Sequence, residues 1–334
     1  MEGKDMATNE NPVECKAQEV DAVEIISLVD NSLDFLSSIG KKQVQSLREW
    51  TMKRYGQGWS KTHTELPVAE HGFSLLVRVF KEGQSRTVLF DTGISAEGVI
   101  ENARRVGLDL KEVEAIVLSH GHYDHFGGLE AAVKEIGKSS LPIITHKDMF
   151  AIRGVSTSTG AVRKYKDFPK QAQLSPAQVI NTQAPWLLAD DMICVTGEIP
   201  RRTSFEQGFV RHMILVNGSW QPDPWILDDR AIVINVKGKG LIILSGCAHA
   251  GIINTIGHAQ KIMKNTKVYA VIGGFHLAGK ENESRIEQTV EELKRINPKL
   301  IAPSHCTGWR GMFAIANAMP NAFVWNSVGN LYKV

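Results

Sequence analysis

AIVLSHGHYDH, residues 115–125, places His120, His122, Asp124 and His125 within six residues. Ala115 to Leu118 is a short apolar run rich in β-branched residues, which predicts a buried strand. The imidazoles begin where that strand runs out. Residues two apart in extended chain point the same way, so His120 and His122 can grip one ion. Asp124 and His125, past the bend, can face a second ion. Gly127 and Gly128 permit a tight turn, and LEAAVKEIG reads as a helix stopped at Gly137. Imidazole and carboxylate together suit zinc, iron or manganese. Sheets with helical connections place their chemistry at such strand ends.

Working outward, the composition sets bounds. The chain has 334 residues, 43% of them hydrophobic, enough for one large core or two ordinary ones. The formal net charge is +2, without a long like-charge run, which argues against a nucleic-acid footprint. No apolar stretch is long enough to span a membrane, and Met1 opens no signal-peptide pattern. The four cysteines, Cys15, Cys194, Cys247 and Cys306, are scattered and form no CxxC. The expectation is a reduced, cytoplasmic protein without a disulfide framework. Nothing in the sequence bears on oligomeric state.

Residues 1–21 are polar and read as a flexible N-terminal tail, with 22–334 as a single domain. Val23 to Val29 is the first expected strand, and a weakly helical stretch runs to Tyr55. Phe73 to Phe80 and Arg86 to Phe90 form an expected hairpin. Ser95 to Val106 reads as a helix capped by Ser95 and stopped by Gly107. Residues 150–225 are irregular in pattern and read as an insertion or lid. From Ala231 the alternation of strand and helix returns. Two halves of this kind predict packed sheets with helices outside.

Three polar elements in the second half each follow an apolar run: SGCAHAG (245–251), GGFHL (273–277) and PSHCTG (303–308). Strand ends converge in such folds, so Cys247, His249, His276 and His305 are candidates to complete the centre. Those that do not ligate can orient ligands or handle protons. His71, in AEHGFS, is a candidate substrate contact. His63, His146, His212 and His258 lack a strand-end setting and read as ordinary histidines.

HGHYDH, with Asp91-Thr92-Gly93 upstream, resembles the HxHxDH signature of the metallo-β-lactamase superfamily. VDN (29–31), AEHGFS (69–74), TGEIPR (196–201), SGCAHAGIINT, IGGFHL and PSHCTG resemble, in that order, one branch of it. That branch is the 7,8-dihydropterin-6-methyl-4-(β-D-ribofuranosyl)aminobenzene-5′-phosphate synthase-like proteins, and the resemblance covers about residues 22–334. It implies an α/β fold, the four-layered αββα sandwich. It implies one or two divalent transition metals, zinc foremost. His120 and His122 would bind the first, Asp124 and His125 the second, and His305 would close the second site. Asp91 would be an orienting residue behind the ligands. Two departures stand out. The usual middle histidine, in a GHTxG context, is missing, with Asp228-Asp229 near its place. The place of the usual bridging aspartate reads Gly246-Cys247. The middle ligand is therefore open among Asp229, Cys247 and His249.

The expected function is an enzyme using metal-activated water or metal-assisted leaving-group chemistry on a small phosphorylated or pterin-like molecule. Asp124 would orient the attacking group, and His276 or His249 would protonate the leaving group. Arg201 and Arg202 are candidate phosphate contacts, because guanidinium offers a planar fork. Trp186, Trp225 and Trp309 are candidate walls for a flat ring. The alternatives are a nucleic-acid-processing metallohydrolase and a non-catalytic metal-bound ligand sensor.

Overall fold

In the computed structural model, residues 13–56 and 65–334 are described. His63 lies outside them. Two sheets face each other across the main core. The first runs, strand by strand, Gln178–Asn181, Pro142–Thr145, Ala115–Val117, Gln84–Phe90, Ser74–Lys81, Ala22–Val29, Leu331–Lys333 and Val44–Gln45. The second runs Trp186–Leu188, Ile193–Val195, Ala231–Val236, Gly240–Ser245, Val268–Gly274 and Leu300–Ser304, with Glu19–Val20 paired beside Ala231–Val236.

Period-two side-chain direction explains the layering. Along Ala231–Val236, Ile232, Ile234 and Val236 enter the core between the sheets, while Ala231 and Val233 face the outer helices. Leu75, Val77 and Val79 point inward from the first sheet, and Leu76 points to its outer helices. Both faces are covered, so these strands read as nearly continuous apolar runs. Helices Gly98–Arg105 and Leu129–Ile136 cover the first sheet. Helices Ile252–Ile262, Ile286–Ile296 and Gly308–Ala318 cover the second. The result is the αββα sandwich. Among the described residues no helix is long and apolar enough to cross a membrane.

Several local expectations are corrected. Ser95 does not cap its helix; the cap position is Glu97, and Ser95 bonds Glu70 instead. Residues 13–21 are tied to the body rather than free. Cys15 is disulfide-bonded to Cys194, and Glu19–Val20 pairs with Asn235 and Val236. The absence of CxxC spacing hid this pair, whose members lie 179 residues apart. Residues 150–225 are not one irregular insertion. They supply Gln178–Asn181 to the first sheet and Trp186–Leu188 and Ile193–Val195 to the second. The remainder builds a small sheet, ordered Ser219–Pro222, His212–Val216, Arg153–Ser156 and Val162–Lys164.

Candidate metal centre

The parallel strands of both sheets end in step. Phe90 is level with Val117, Ser245 with Gly273, and Gly274 with Ser304. Their C-terminal loops therefore meet at one edge of the sandwich. Gly246 makes the meeting close. A Cβ there would lie 2.1 Å from the Ser119 hydroxyl and 3.0 Å from Asp91 Oδ2, so only glycine lets the second sheet approach the first.

Asp91 organises the first sheet's contribution. It accepts from the Ser119 amide at 2.7 Å and from the Ser119 hydroxyl at 2.7 Å, and it pairs with His125 Nδ1 at 2.7 Å. His120 Nδ1 donates to the same hydroxyl at 2.9 Å. These partners place a proton on Nδ1 and turn Nε2 of His120 and His125 toward the centre; burial opposes charge on His125, but Asp91 and Asp124 raise it to about 9, so its Nε2 is bared when a cation displaces the second proton. His120 Nε2 faces His122 Nδ1 at 3.0 Å and His249 Nε2 at 3.2 Å. His125 Nε2 faces Cys247 Sγ at 3.1 Å. His305 Nδ1 is fixed by Asn31 Oδ1 at 3.0 Å, which turns its Nε2 to Asp124 Oδ2 at 3.1 Å. Asp30 holds the His305 amide at 2.9 Å.

Four donor groups occur among the described residues, and two of them combine HGHYDH residues with Cys247. Asp124, His125, Cys247 and His305 offer ligand atoms within 4.8 Å of one another. So do His120, Cys247 and His249. Cys247 belongs to both. Asp91, Ala248, His276 and His305 all have left-handed backbone, φ between 47° and 58°. Each such non-glycine residue costs ~1–2 kcal/mol, a local strain that clusters at functional sites.

The electrostatics suit cation capture. Burial, reinforced by neighbouring imidazoles, drives His120 and His249 well below the usual histidine range. Burial also lowers His122, to about 3. These rings are neutral and keep their lone pairs. Burial opposes charge on Asp124, yet His125 and His305 hold its carboxyl below the usual range. Burial pushes the Cys247 thiol up, so its thiolate needs a cation beside it. His122 Nε2 and His276 Nδ1 are buried without a hydrogen-bond partner among the described residues.

The donors form the floor of a cavity of about 450 Å³. Tyr123, Tyr165 and Phe209 give it flat apolar walls. Arg163 and Arg211, from the small sheet, and Lys280, from the second-sheet side, give it a cationic rim. Arg211 stacks on Phe209 at 5.0 Å and reaches Glu281 at 3.1 Å, bridging the mouth.

Most of the residues singled out from sequence meet here: His71, Asp91, His120, His122, Asp124, His125, Cys247, His249, His276 and His305. His71 Nε2 stands 3.6 Å from Asp124 Oδ2. Other expectations are corrected. The middle ligand was open among Asp229, Cys247 and His249; of these, His249, on the AHAG turn, brings its Nε2 to 3.2 Å from His120 Nε2. Asp229 instead accepts the Ala250 amide at 2.8 Å and supports that turn. Asp228 accepts the Gly121 amide at 2.8 Å and pairs with Arg153. Arg201 and Arg202 do not line the cavity. The Arg201 guanidinium is spent on the carbonyls of Ile199, Trp225 and Ile226. The Arg202 amide donates to Asn254 Oδ1 at 2.8 Å, beside the helix start that Glu206 caps. None of Trp186, Trp225 and Trp309 borders the cavity. His146 bonds Glu198 at 3.0 Å and His258 the Thr196 carbonyl at 3.2 Å, both as ordinary histidines. His212 was missed: it is buried against His122 and His249, with ring centroids 4.9 and 5.3 Å away. Its only sequence signal was its polarity inside an alternating strand, VRHMILV.

The family model described as the metallo-beta-lactamase superfamily matches residues 68–181. Over 296 residues the chain is 32% identical to the 7,8-dihydropterin-6-methyl-4-(beta-D-ribofuranosyl)-aminobenzene-5'-phosphate synthase of Methanocaldococcus jannaschii, covering 82% of this chain and 92% of that protein. The chain belongs to the metallo-β-lactamase superfamily. Within the superfamily it is also 30% identical over 267 residues to an uncharacterized protein of the same organism, covering 80% of this chain and 94% of the other. The crystal structure of a metal-dependent hydrolase of the β-lactamase superfamily superposes with a TM-score of 0.69 at 23% identity, covering 93% of this chain and 98% of that one. This last likeness bears on fold. Membership of the superfamily implies divalent metal binding, and the donors fit: imidazoles whose ring nitrogens meet at the centre, one carboxylate and one thiol.

Proposed function

We propose that this chain is a metal-dependent enzyme acting on a small phosphorylated molecule with a flat heterocyclic part. One observation carries the reading: two donor groups sharing Cys247 form the floor of a cavity with aromatic walls and a cationic rim. His120, His122 and His249 would hold one divalent ion. Asp124, His125 and His305 would hold the other, with Cys247 between them. When bound, the ions supply Lewis acidity and positive charge for a phosphoryl group or its departing oxyanion.

The chain's own residues do the rest. Arg163, Arg211 and Lys280 bind phosphate at the rim, the arginines as planar forks. Tyr165 and Phe209 pack against the heterocycle. Asp124, fixed by His305, positions the attacking group. His276 lines the cavity, its ring centroid 4.2 Å from that of His249, and serves as proton donor to the leaving group. His249 is better placed as a ligand than as an acid, because its Nε2 faces His120.

The similarity to the Methanocaldococcus synthase supports a pterin-linked condensation over hydrolysis. The test is metal analysis of chelator-free protein, followed by turnover. A pterin pyrophosphate and a phosphorylated ribofuranosyl aminobenzene are supplied together, and simple phosphate esters separately. Condensation that is lost in His122→Ala/Asp124→Ala is the expected result. Ester hydrolysis without condensation would replace the synthase reading by a hydrolase one. Binding without any turnover would make the chain a ligand sensor.

A further inference from the structure

His212 comes from neither main sheet. The small sheet carries it, paired in register with Val155 on the strand Arg153–Ser156. That sheet is clamped to the HGHYDH turn. Arg153, buried, bonds Asp228 Oδ2 at 2.9 Å and Oδ1 at 2.7 Å, and Asp228 Oδ2 accepts the Gly121 amide at 2.8 Å. Gly121 lies between His120 and His122. The small sheet is thus fixed to the backbone that bears the ligands, and His212 with it.

What His212 does there is unexplained by packing alone. Its Nδ1 is buried with no hydrogen-bond partner among the described residues. A buried polar atom left unpaired costs ~1–3 kcal/mol, so a merely structural histidine would be satisfied. Nitrogens of His122, His212 and His249 lie within 4.8 Å of one another, and no carboxylate belongs to that set. Three imidazoles that meet with no carboxylate among them are a ligand set, not an ion-pair network.

We propose that His212 is a ligand of the ion held by His122 and His249, delivered into the centre by the small sheet. This rests on the metal-dependent reading above. It would add an imidazole to those of His120, His122 and His249, so that with the shared Cys247 this position would have no coordination left to exchange. Exchangeable coordination then belongs to the position of Asp124, His125 and His305, below His71, and substrate binds there.

The test uses zinc-reconstituted full-length protein. Zinc-edge X-ray absorption is recorded for wild type and for His212→Cys, and zinc retention is measured by chelator competition for wild type and His212→Ala. The cysteine variant is expected to exchange one zinc–nitrogen bond for a zinc–sulfur bond near ~2.3 Å. The alanine variant is expected to lose affinity for one zinc equivalent by more than the ~10- to 100-fold that loss of an outer hydrogen-bond partner costs. If the alanine variant does not fold, the cysteine variant, which restores a ligand, decides alone. Unchanged scattering and retention in variants that carry zinc would overturn the role of His212 and leave the metal-dependent reading standing. A wild-type protein that retains no zinc would overturn both.

Discussion

Replacing Arg153 by methionine should separate the scaffold's electrostatics from the metal's. Arg153 is buried and bonds Asp223 through Nε at 2.9 Å and Asp228 through both terminal nitrogens. Burial opposes charge on Asp228, but Arg153, and then the Gly121 amide, bring its pKa from 3.8 down to about 2. A depressed carboxyl pKa stabilises the fold above the unfolded value, near 3.8, and that stability is lost as pH falls through about 2. At 1.36 kcal/mol per pH unit the full contribution is ~2.5 kcal/mol, of which ~2 is gone by pH 2. Methionine matches the stem but strands the carboxylate, and breaking one side of a buried pair costs ~3–5 kcal/mol. The second figure exceeds the first because the abandoned carboxylate keeps its burial cost. Urea denaturation of chelator-treated wild type and Arg153→Met from pH 7 to pH 2 measures both. The gap should be ~3–5 kcal/mol at neutral pH and narrow by ~2 kcal/mol or more on acidification. A neutral gap below ~1 kcal/mol, or one that does not change with pH, would refute the reasoning.

Three further outcomes are expected. Asp91→Asn removes the carboxylate that orients His125 and Ser119, and metal affinity measured by chelator competition should fall ~10- to 100-fold with the fold retained. Gly246→Ala forces a methyl against the Ser119 hydroxyl, and the denaturation midpoint should report a loss of ~1–3 kcal/mol or a failure to fold. Arg163→Ala and Arg211→Ala each remove a charge-assisted contact of ~1.5–3 kcal/mol, a loss of roughly 10- to 100-fold in kcat/KM on a phosphorylated substrate. Arg201→Met should instead lower stability and leave KM unchanged, since Arg201 holds only backbone carbonyls.

Where a signal was local, the sequence carried it. The strand Ala115–Val117 and the helix ended by left-handed Gly137 stand where alternation and glycine placed them. The core faces followed from apolar runs covered on both sides. Failures concentrate where a residue's role depends on distant chain. Ser95 looked like a cap because hydroxyls usually are, but Glu70, 25 residues earlier, took it. Arg201 and Arg202 looked like phosphate contacts because guanidinium offers a planar fork. The structure spends the Arg201 guanidinium on the carbonyls of Ile199, Trp225 and Ile226, and it ties the Arg202 amide to Asn254.

The centre itself divides along the same line. HGHYDH is legible because one strand end and one turn present four donors in six residues. The second half presents single donors on three loops, and no spacing rule relates them. What relates them is register: Ser245, Gly273 and Ser304 end adjacent strands nearly level, so Cys247, His276 and His305 arrive together. His212 obeys neither rule. Its position is set by an ion pair between a small-sheet arginine and Asp228, which in turn holds Gly121. A motif search weighs neighbours along the chain and so passes over such a residue. The fold shows it instead, through a buried, unpartnered Nδ1 on a ring packed against those of His122 and His249.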